Sequence, residues 1–440
     1  MIRAGWATVN ITPPLGVPLA GYYVSEGRTE AARDTLDELN AKALVLEGRG
    51  LTVALITSDL IGIPDSLLAR ARPLISETTG IPEECLVLSA SHNHSGPVID
   101  VLPDEPNLFP AAADSEYIAV LARKLAGVVR MAKARTSPVR FGVGCGACDI
   151  NVNRREMNAE GEFKPLPFLG RNRDAPVDRT VTVLRFEKLT GEYALLVNYS
   201  CHAVVLGPNL EISADYPGAM QRFVEATLGA GCTTLFTNGA EGDVNPIIHP
   251  GTAADALRLG RRLGAEVIKV ADAISLSDIG MLRFARRTIS LPMRREPTLD
   301  EESEHLQRLA EESRELRRQG QAGILPGEID HSVMMMRHLR RTAGRSVAPA
   351  EISAVRVGDT VLCSVPGELF DELGGEIREA VSGGQVVIVG LANGHLGYLP
   401  TRTAYRLGGF EVEATALAAE AGEILRDEVI VLARSLLSEQ

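Results

Sequence analysis

The chain has 440 residues, 45% of them hydrophobic and 23% charged, with a formal net charge of −12. That balance marks a globular chain with enough apolar material for a large core, and it argues against nucleic acid as a partner, because phosphate binding is driven by clustered Lys and Arg. No run approaches the ~20 apolar residues needed to cross a bilayer, and residues 1–10 lack the charged-then-apolar pattern of a secretion signal, so the expected location is the cytoplasm.

Taken in chain order, apolar runs and helical periodicity predict a strand over 51–56, a helix over 66–78, a strand over 85–90 and a helix over 115–133. Strands follow over 139–143, 180–186 and 194–199, then a helix over 216–228, a strand over 232–237 and a helix over 253–273. The remainder reads as a strand over 281–291, a helix over 298–319, strands over 354–357 and 360–363, a helix over 369–381, a strand over 386–390 and a helix over 413–437. Strand and helix in alternation is the signature of an α/β fold.

No internal repeat is visible and no linker divides the chain, so one domain over 1–440 is expected. Within it, residues 298–345 are densely charged, with Glu301-Glu302, Glu311-Glu312 and Arg317-Arg318 around a few leucines. They read as an exposed helical insertion whose charges face solvent, and His305, His331 and His338 are set aside with it. The six cysteines, mostly inside apolar runs, suit reduced core thiols. Cys145-Gly146-Ala147-Cys148 has no second pair or nearby histidine at zinc-knuckle spacing.

Chemistry concentrates at strand ends. Directly after 85–90 comes Ser91-His92-Asn93-His94-Ser95-Gly96-Pro97. In an extended His-x-His both rings lie on one face and can enter one pocket; two unrelated surface or capping histidines are the plain alternative. Ser200-Cys201-His202 follows the strand over 194–199, and Asn238-Gly239-Ala240-Glu241-Gly242-Asp243-Val244-Asn245-Pro246 follows that over 232–237. Pro366-Gly367-Glu368 and Asn393-Gly394-His395-Leu396-Gly397-Tyr398 follow the last two strands.

Loops beyond the carboxyl ends of strands converge on one crevice in open α/β sheets. His92, His202 and Glu368 would then offer three zinc-type ligands with positions left for water and substrate. Glu241 and Asp243 read as partners that orient the ligand histidines, or as turn residues. Taken singly, His202 could be a satisfied core histidine and Glu368 a helix cap.

These pieces, in this order, resemble the neutral, non-lysosomal ceramidases through their catalytic domain. The resemblance rests on Asn10-Ile11-Thr12-Pro13-Pro14, the 92–97 motif, Asn151-Val152-Asn153-Arg154, Asp178-Arg179-Thr180-Val181-Thr182-Val183-Leu184, His202, Gly242-Asp243-Val244-Asn245-Pro246, Pro366-Gly367-Glu368 and the 393–398 segment. It implies layered mixed β-sheets flanked by helices and one catalytic Zn²⁺. It places the metal on His92, His202, Glu368 and Tyr398, with Tyr398 alternatively a donor to an oxyanion, His94 as the proton-moving histidine and Arg154 orienting substrate.

The implied activity is zinc-dependent hydrolysis of an amide bond in a small or N-acylated molecule, with a small-molecule substrate as the partner. A zinc esterase or lactonase, and a non-catalytic binding protein on the same scaffold, are the alternatives. Two departures stand out. Asn245 occupies the place of a ceramidase serine, which removes that hydroxyl from any role. The sequence also ends without a C-terminal β domain and starts without a secretion signal, so a sphingolipid held in a membrane is not the expected substrate.

Overall fold

The computed structural model describes residues 1–22, 30–100, 113–157, 169–294, 299–319, 332, 336 and 345–438. Twelve principal strands run in chain order: β1 Arg3–Asn10, β2 Asn40–Gly48, β3 Leu51–Ser58, β4 Leu86–Ala90, β5 Ser137–Ala147 and β6 Thr180–Lys188, then β7 Tyr193–Tyr199, β8 Cys232–Asn238, β9 Leu282–Pro292, β10 Val347–Val357, β11 Thr360–Ser364 and β12 Gln385–Val389. The helices are α1 Asp65–Thr79, α2 Ser115–Ala134, α3 Asp215–Leu228, α4 Ala253–Ala273, α5 Leu299–Arg318, α6 Asp371–Ala380, α7 Arg402–Leu407, α8 Phe410–Glu413 and α9 Ala421–Ser438.

A single plan occurs three times. Three antiparallel strands are followed by a helix, a fourth strand parallel to the third, and, later in the chain, another helix. The series β1-β2-β3-α1-β4-α2 does this, then β5-β6-β7-α3-β8-α4, then β9-β10-β11-α6-β12-α9. Pairing of β1 with β5 joins the first two units into one long sheet, and the third unit makes its own four-stranded sheet. The sequence gives no visible sign of this repeat, because what repeats is direction and periodicity, not residue identity.

The alternation of strand side chains explains the layering. On β2, Ala43 and Val45 face a core shared with Leu67, Ala71 and Ile75 of α1 and Leu121 and Leu125 of α2. Leu44 and Leu46 on the same strand face the opposite way, meeting Phe186 and Leu196 and, across from them, Val355, Leu362, Val387 and Val389 of the second sheet. Helices α3 and α4 cover the second unit, and α6 and α9 the third. The result is helices, sheet, sheet, helices, the layered mixed α/β architecture expected. Gly260 permits the close approach of α3 and α4, since a Cβ there would fall 2.7 Å from the Tyr216 carbonyl oxygen.

Several predicted boundaries shift. Strands β1 and β2 are not among those expected, and β10 begins at Val347, well before 354; all three contain small residues, and β2 and β10 also bury polar ones, Lys42 and Ser353, which break an apolar run. The helix expected over 413–437 starts only at Ala421. Before it, Gly408 and Gly409 adopt φ of 71° and 103°, and Thr415 Oγ1 donates to the Tyr398 carbonyl at 2.8 Å, which pulls the chain onto the crevice and away from helical geometry. Of the charged stretch at 298–345, α5 is described, with His305 on it, whereas His331 and His338 lie outside the described residues.

Asparagines at strand ends tie the three units together. Asn198 Nδ2 donates to Ile388 O at 2.8 Å, Asn238 Nδ2 to Ser91 O at 3.1 Å, and Asn393 both accepts from Leu88 N at 2.8 Å and donates to Leu86 O at 3.2 Å. These side chains satisfy buried backbone groups that no ladder reaches, and they hold the polar loops after β4, β7, β8, β11 and β12 against one another.

Candidate metal centre and active site

The loop after β4 carries His92 in a left-handed conformation, φ 62°, which few non-glycine residues adopt. Asn93 sustains it: its amide donates to Asp59 O at 3.2 Å and Ser213 O at 2.7 Å, and its backbone N–H to Leu60 O. The two imidazoles therefore share a pocket for a reason other than the strand alternation expected from the sequence. The turn brings His92 Nε2 and His94 Nε2 to 3.1 Å.

His92 Nδ1 lies 2.7 Å from the Ile61 carbonyl oxygen, and His202 Nδ1 3.0 Å from that of Val244. A carbonyl can only accept, so each Nδ1 carries the proton and each Nε2 presents a lone pair. Both lone pairs meet one carboxylate: Glu368 Oε2 is 3.3 Å from His92 Nε2 and 3.0 Å from His202 Nε2. His92, His202 and Glu368 are all buried, with one ligand atom from each lying within 4.8 Å of the others. Two imidazoles whose Nδ1 atoms are committed to backbone carbonyls, and one carboxylate, form a donor set that fits zinc.

Burial, followed by the Arg154 charge, lowers the His202 pKa to about 3, so this ring is neutral near pH 7. Burial alone would raise Glu368, but His92 and His202 outweigh it and hold the carboxyl well below the usual carboxylate range. The carboxyl groups of Glu241 and Asp243 do not orient these rings. Backbone carbonyls do, while Asp243 accepts from Asn153 Nδ2 at 2.8 Å and Asp371 N at 2.9 Å.

Tyr398 reaches the cluster through a parallel bridge that sets it beside Glu368 in register. Its ring stacks at 18° to that of His202, centroids 6.5 Å apart. Burial, then Glu368, raises its pKa well above 10, so the phenol stays protonated and able to donate.

Arg154 forms the floor. Its Nη1 contacts His202 Nε2 at 3.0 Å and donates to Asn245 Oδ1 at 3.2 Å, Nη2 donates to Gly242 O at 2.8 Å, and Nε to Glu411 Oε1 at 2.7 Å. The guanidinium also lies over Tyr398, 5.2 Å from the ring centroid. Asn245, which replaces the expected serine, thus serves as an acceptor for this arginine.

All the residues picked out by sequence, His92, His94, His202, Glu368, Tyr398 and Arg154, come together in this crevice. Sequence reasoning missed four others. Glu411 binds both Arg154 and Arg155, yet it falls just before the helix expected over 413–437, in a stretch assigned to no element. Tyr22 packs edge-on against His94, ring centroids 5.1 Å apart, and stacks near His249. His395 lies 4.0 Å from Glu368 Oε1 on the exposed side; only its place inside the 393–398 segment hinted at the site.

No family model and no curated protein sequence matches the chain. Among solved structures, it is similar to the neutral ceramidase from Pseudomonas aeruginosa, with a TM-score of 0.74 and 20% identity over 99% of this chain and 74% of that one. A ceramidase complexed with C2 aligns equally well, with a TM-score of 0.74 and 18% identity over 99% of this chain and 75% of the other.

Proposed function

We propose that a protein with this neutral-ceramidase-like fold is a zinc-dependent amidase acting on a small N-acylated substrate. The observation that carries the reading is the convergence of His92 Nε2, His202 Nε2 and Glu368 Oε2, with both Nδ1 atoms committed to backbone carbonyls. The likeness to two ceramidases, which cleave an amide, favours amide over other acyl substrates. A zinc ion held by these residues and Tyr398 would polarise the acyl carbonyl and acidify a water.

The side chains supply the remaining steps. His94, beside His92 on the more open side, takes the proton from the attacking water and returns it to the amine leaving group, a role typically worth about 10² to 10⁴ in rate. The protonated Tyr398 phenol donates to the oxygen that gains charge. Arg154, clamped by Glu411 and Asn245, orients the acyl group and keeps the floor positive. The six cysteines are all unpaired, which supports a reducing, cytoplasmic setting. Among the described residues no helix is long and apolar enough to cross a membrane.

Matched amide and ester substrates, assayed with and without a chelator, test the reading. The expected result is chelator-sensitive amide cleavage restored by zinc and lost in Glu368→Gln. Cleavage of esters alone would replace the amidase with an esterase, because a poor amine leaving group needs the proton donor. Full activity in Glu368→Gln would remove the metal from the account.

A further inference from the structure

Glu241 follows β8 and turns inward where β4, β8 and β12 end. It is 0% exposed, and neither carboxyl oxygen has a hydrogen-bond partner beyond the residue's own backbone N–H. Burial pushes its pKa well above the usual carboxylate range, and Glu368 adds to the rise. Gly390 lies directly against it: a Cβ there would fall 2.9 Å from Glu241 Oε2 and 2.5 Å from the Gly239 carbonyl oxygen. Both oxygens therefore face the same bare stretch of backbone.

On the β4 side, Ser91 is 2% exposed and its Oγ is also without a partner. Asn238 Nδ2 holds the Ser91 carbonyl at 3.1 Å, Gly390 N donates to Asn238 O at 2.9 Å, and Ala90 N to Leu391 O at 3.3 Å. These bonds link the backbone of Ser91 to Asn238, the residue before Gly239, and Asn238 in turn to Gly390. Folded proteins seldom leave buried carboxyl and hydroxyl oxygens unanswered, and an ion or water is the usual explanation. Glu241 is outside the His92, His202 and Glu368 group, and Glu241, Ser91 and the Gly239 carbonyl offer oxygen donors only, which select hard cations over zinc.

We propose that Glu241, the Gly239 carbonyl and Ser91 Oγ form a second, internal site that takes a small hard cation of the sodium or calcium kind. It has no part in the amidase reading and does not depend on it. Arg154 acts on Glu241 without a hydrogen bond to it; the cation supplies a charge in direct contact and locks the ends of three strands behind the catalytic crevice.

The test is thermal unfolding of chelator-treated protein in tetramethylammonium chloride, with sodium, potassium, magnesium or calcium chloride added at constant ionic strength. It is run on wild type, His92→Ala, Glu241→Gln and Ser91→Ala. At least one cation should raise Tm by about 2 to 4 °C in wild type and in His92→Ala. Glu241→Gln should show no response and a cation-free Tm at or above that of wild type, since the neutral isostere removes a buried charge. Ser91→Ala should respond more weakly, and it decides the matter if Glu241→Gln does not fold.

No response to any of the four cations in wild type, which would leave a protonated Glu241 beside ordered water, overturns the proposal. So does an equal response in Glu241→Gln. A response lost in His92→Ala would assign the cation to the His/His/Glu cluster and also overturn it. Because His92→Ala lacks a candidate zinc ligand, the readout stands whether or not the amidase reading holds.

Discussion

Glu368 and Glu241 are both buried carboxyl groups at strand ends of one crevice, yet their surroundings are opposite. Glu368 has His92 and His202 within 3.3 Å and is held in its charged form; Glu241 has no partner beyond its own backbone and is pushed toward its neutral form. Burial is shared, so it cannot explain the difference. What decides is what faces the carboxylate: two imidazole rings at Glu368 and none at Glu241. The contrast separates a site built to concentrate negative charge beside two lone pairs from a pocket that needs a charge brought to it.

The largest expected effect breaks the first site. His202→Ala removes one lone pair and the acceptor for Arg154, and activity should fall about 10³-fold or more, since metal-supplied charge stabilisation amounts to several kcal/mol. Retained activity measured on purified, folded variant would sink the ligand assignment. Next comes the floor of the crevice. Glu411→Ala strips both Arg154 and Arg155 of their shared carboxylate, and breaking a buried pair typically costs about 3 to 5 kcal/mol. A urea midpoint unchanged from wild type would contradict that role.

Tyr398→Phe should keep most bound metal and lower kcat about 10²-fold, the scale for losing one oxyanion donor. An unchanged kcat would remove the phenol from the chemistry. Smaller again, Asn393→Ala leaves the Leu88 N–H and Leu86 carbonyl without partners and should cost about 1 to 3 kcal/mol, the penalty for a buried unsatisfied group. Chemical denaturation measures it, and a cost near zero would mean the strand-end latch does little.

The finest comparison is in pH. In metal-free protein, His202 has a folded pKa of about 3, below the usual imidazole value of 6.5. The unfolded chain then binds the proton first, so stability is lost as pH falls from about 6.5 toward 3. Glu241 has the opposite sign. Its folded pKa is raised well above the usual 4.5 of a glutamate, so the stability it contributes is present at low pH and is lost as pH rises through the folded value. His202→Asn should flatten the acid side of the profile and Glu241→Gln the alkaline side; identical profiles for the two variants would erase the distinction.

Much of this site was legible because metal and acid–base residues follow apolar strands in five loops. His92, His202 and Glu368 could be read from that layout, and His94, Arg154 and Tyr398 from the family resemblance. Their geometry was not legible. The rings of 92 and 94 meet through a left-handed turn fixed by Asn93, whose partners Asp59 and Ser213 are distant in sequence. The threefold plan escaped notice because alternating apolar residues of any identity satisfy it. Glu411 was hidden because a single acid between two expected elements carries no motif, and only the turn at Gly408 and Gly409 brings it inward.

The central claim, that two histidines and a glutamate hold a metal, is tested most directly by elemental mass spectrometry of the purified protein after incubation with zinc and gel filtration, with His92→Ala alongside. The account predicts close to one zinc per chain in wild type and a loss of most of it in the variant. No bound metal in wild type, or equal amounts in both proteins, would contradict it.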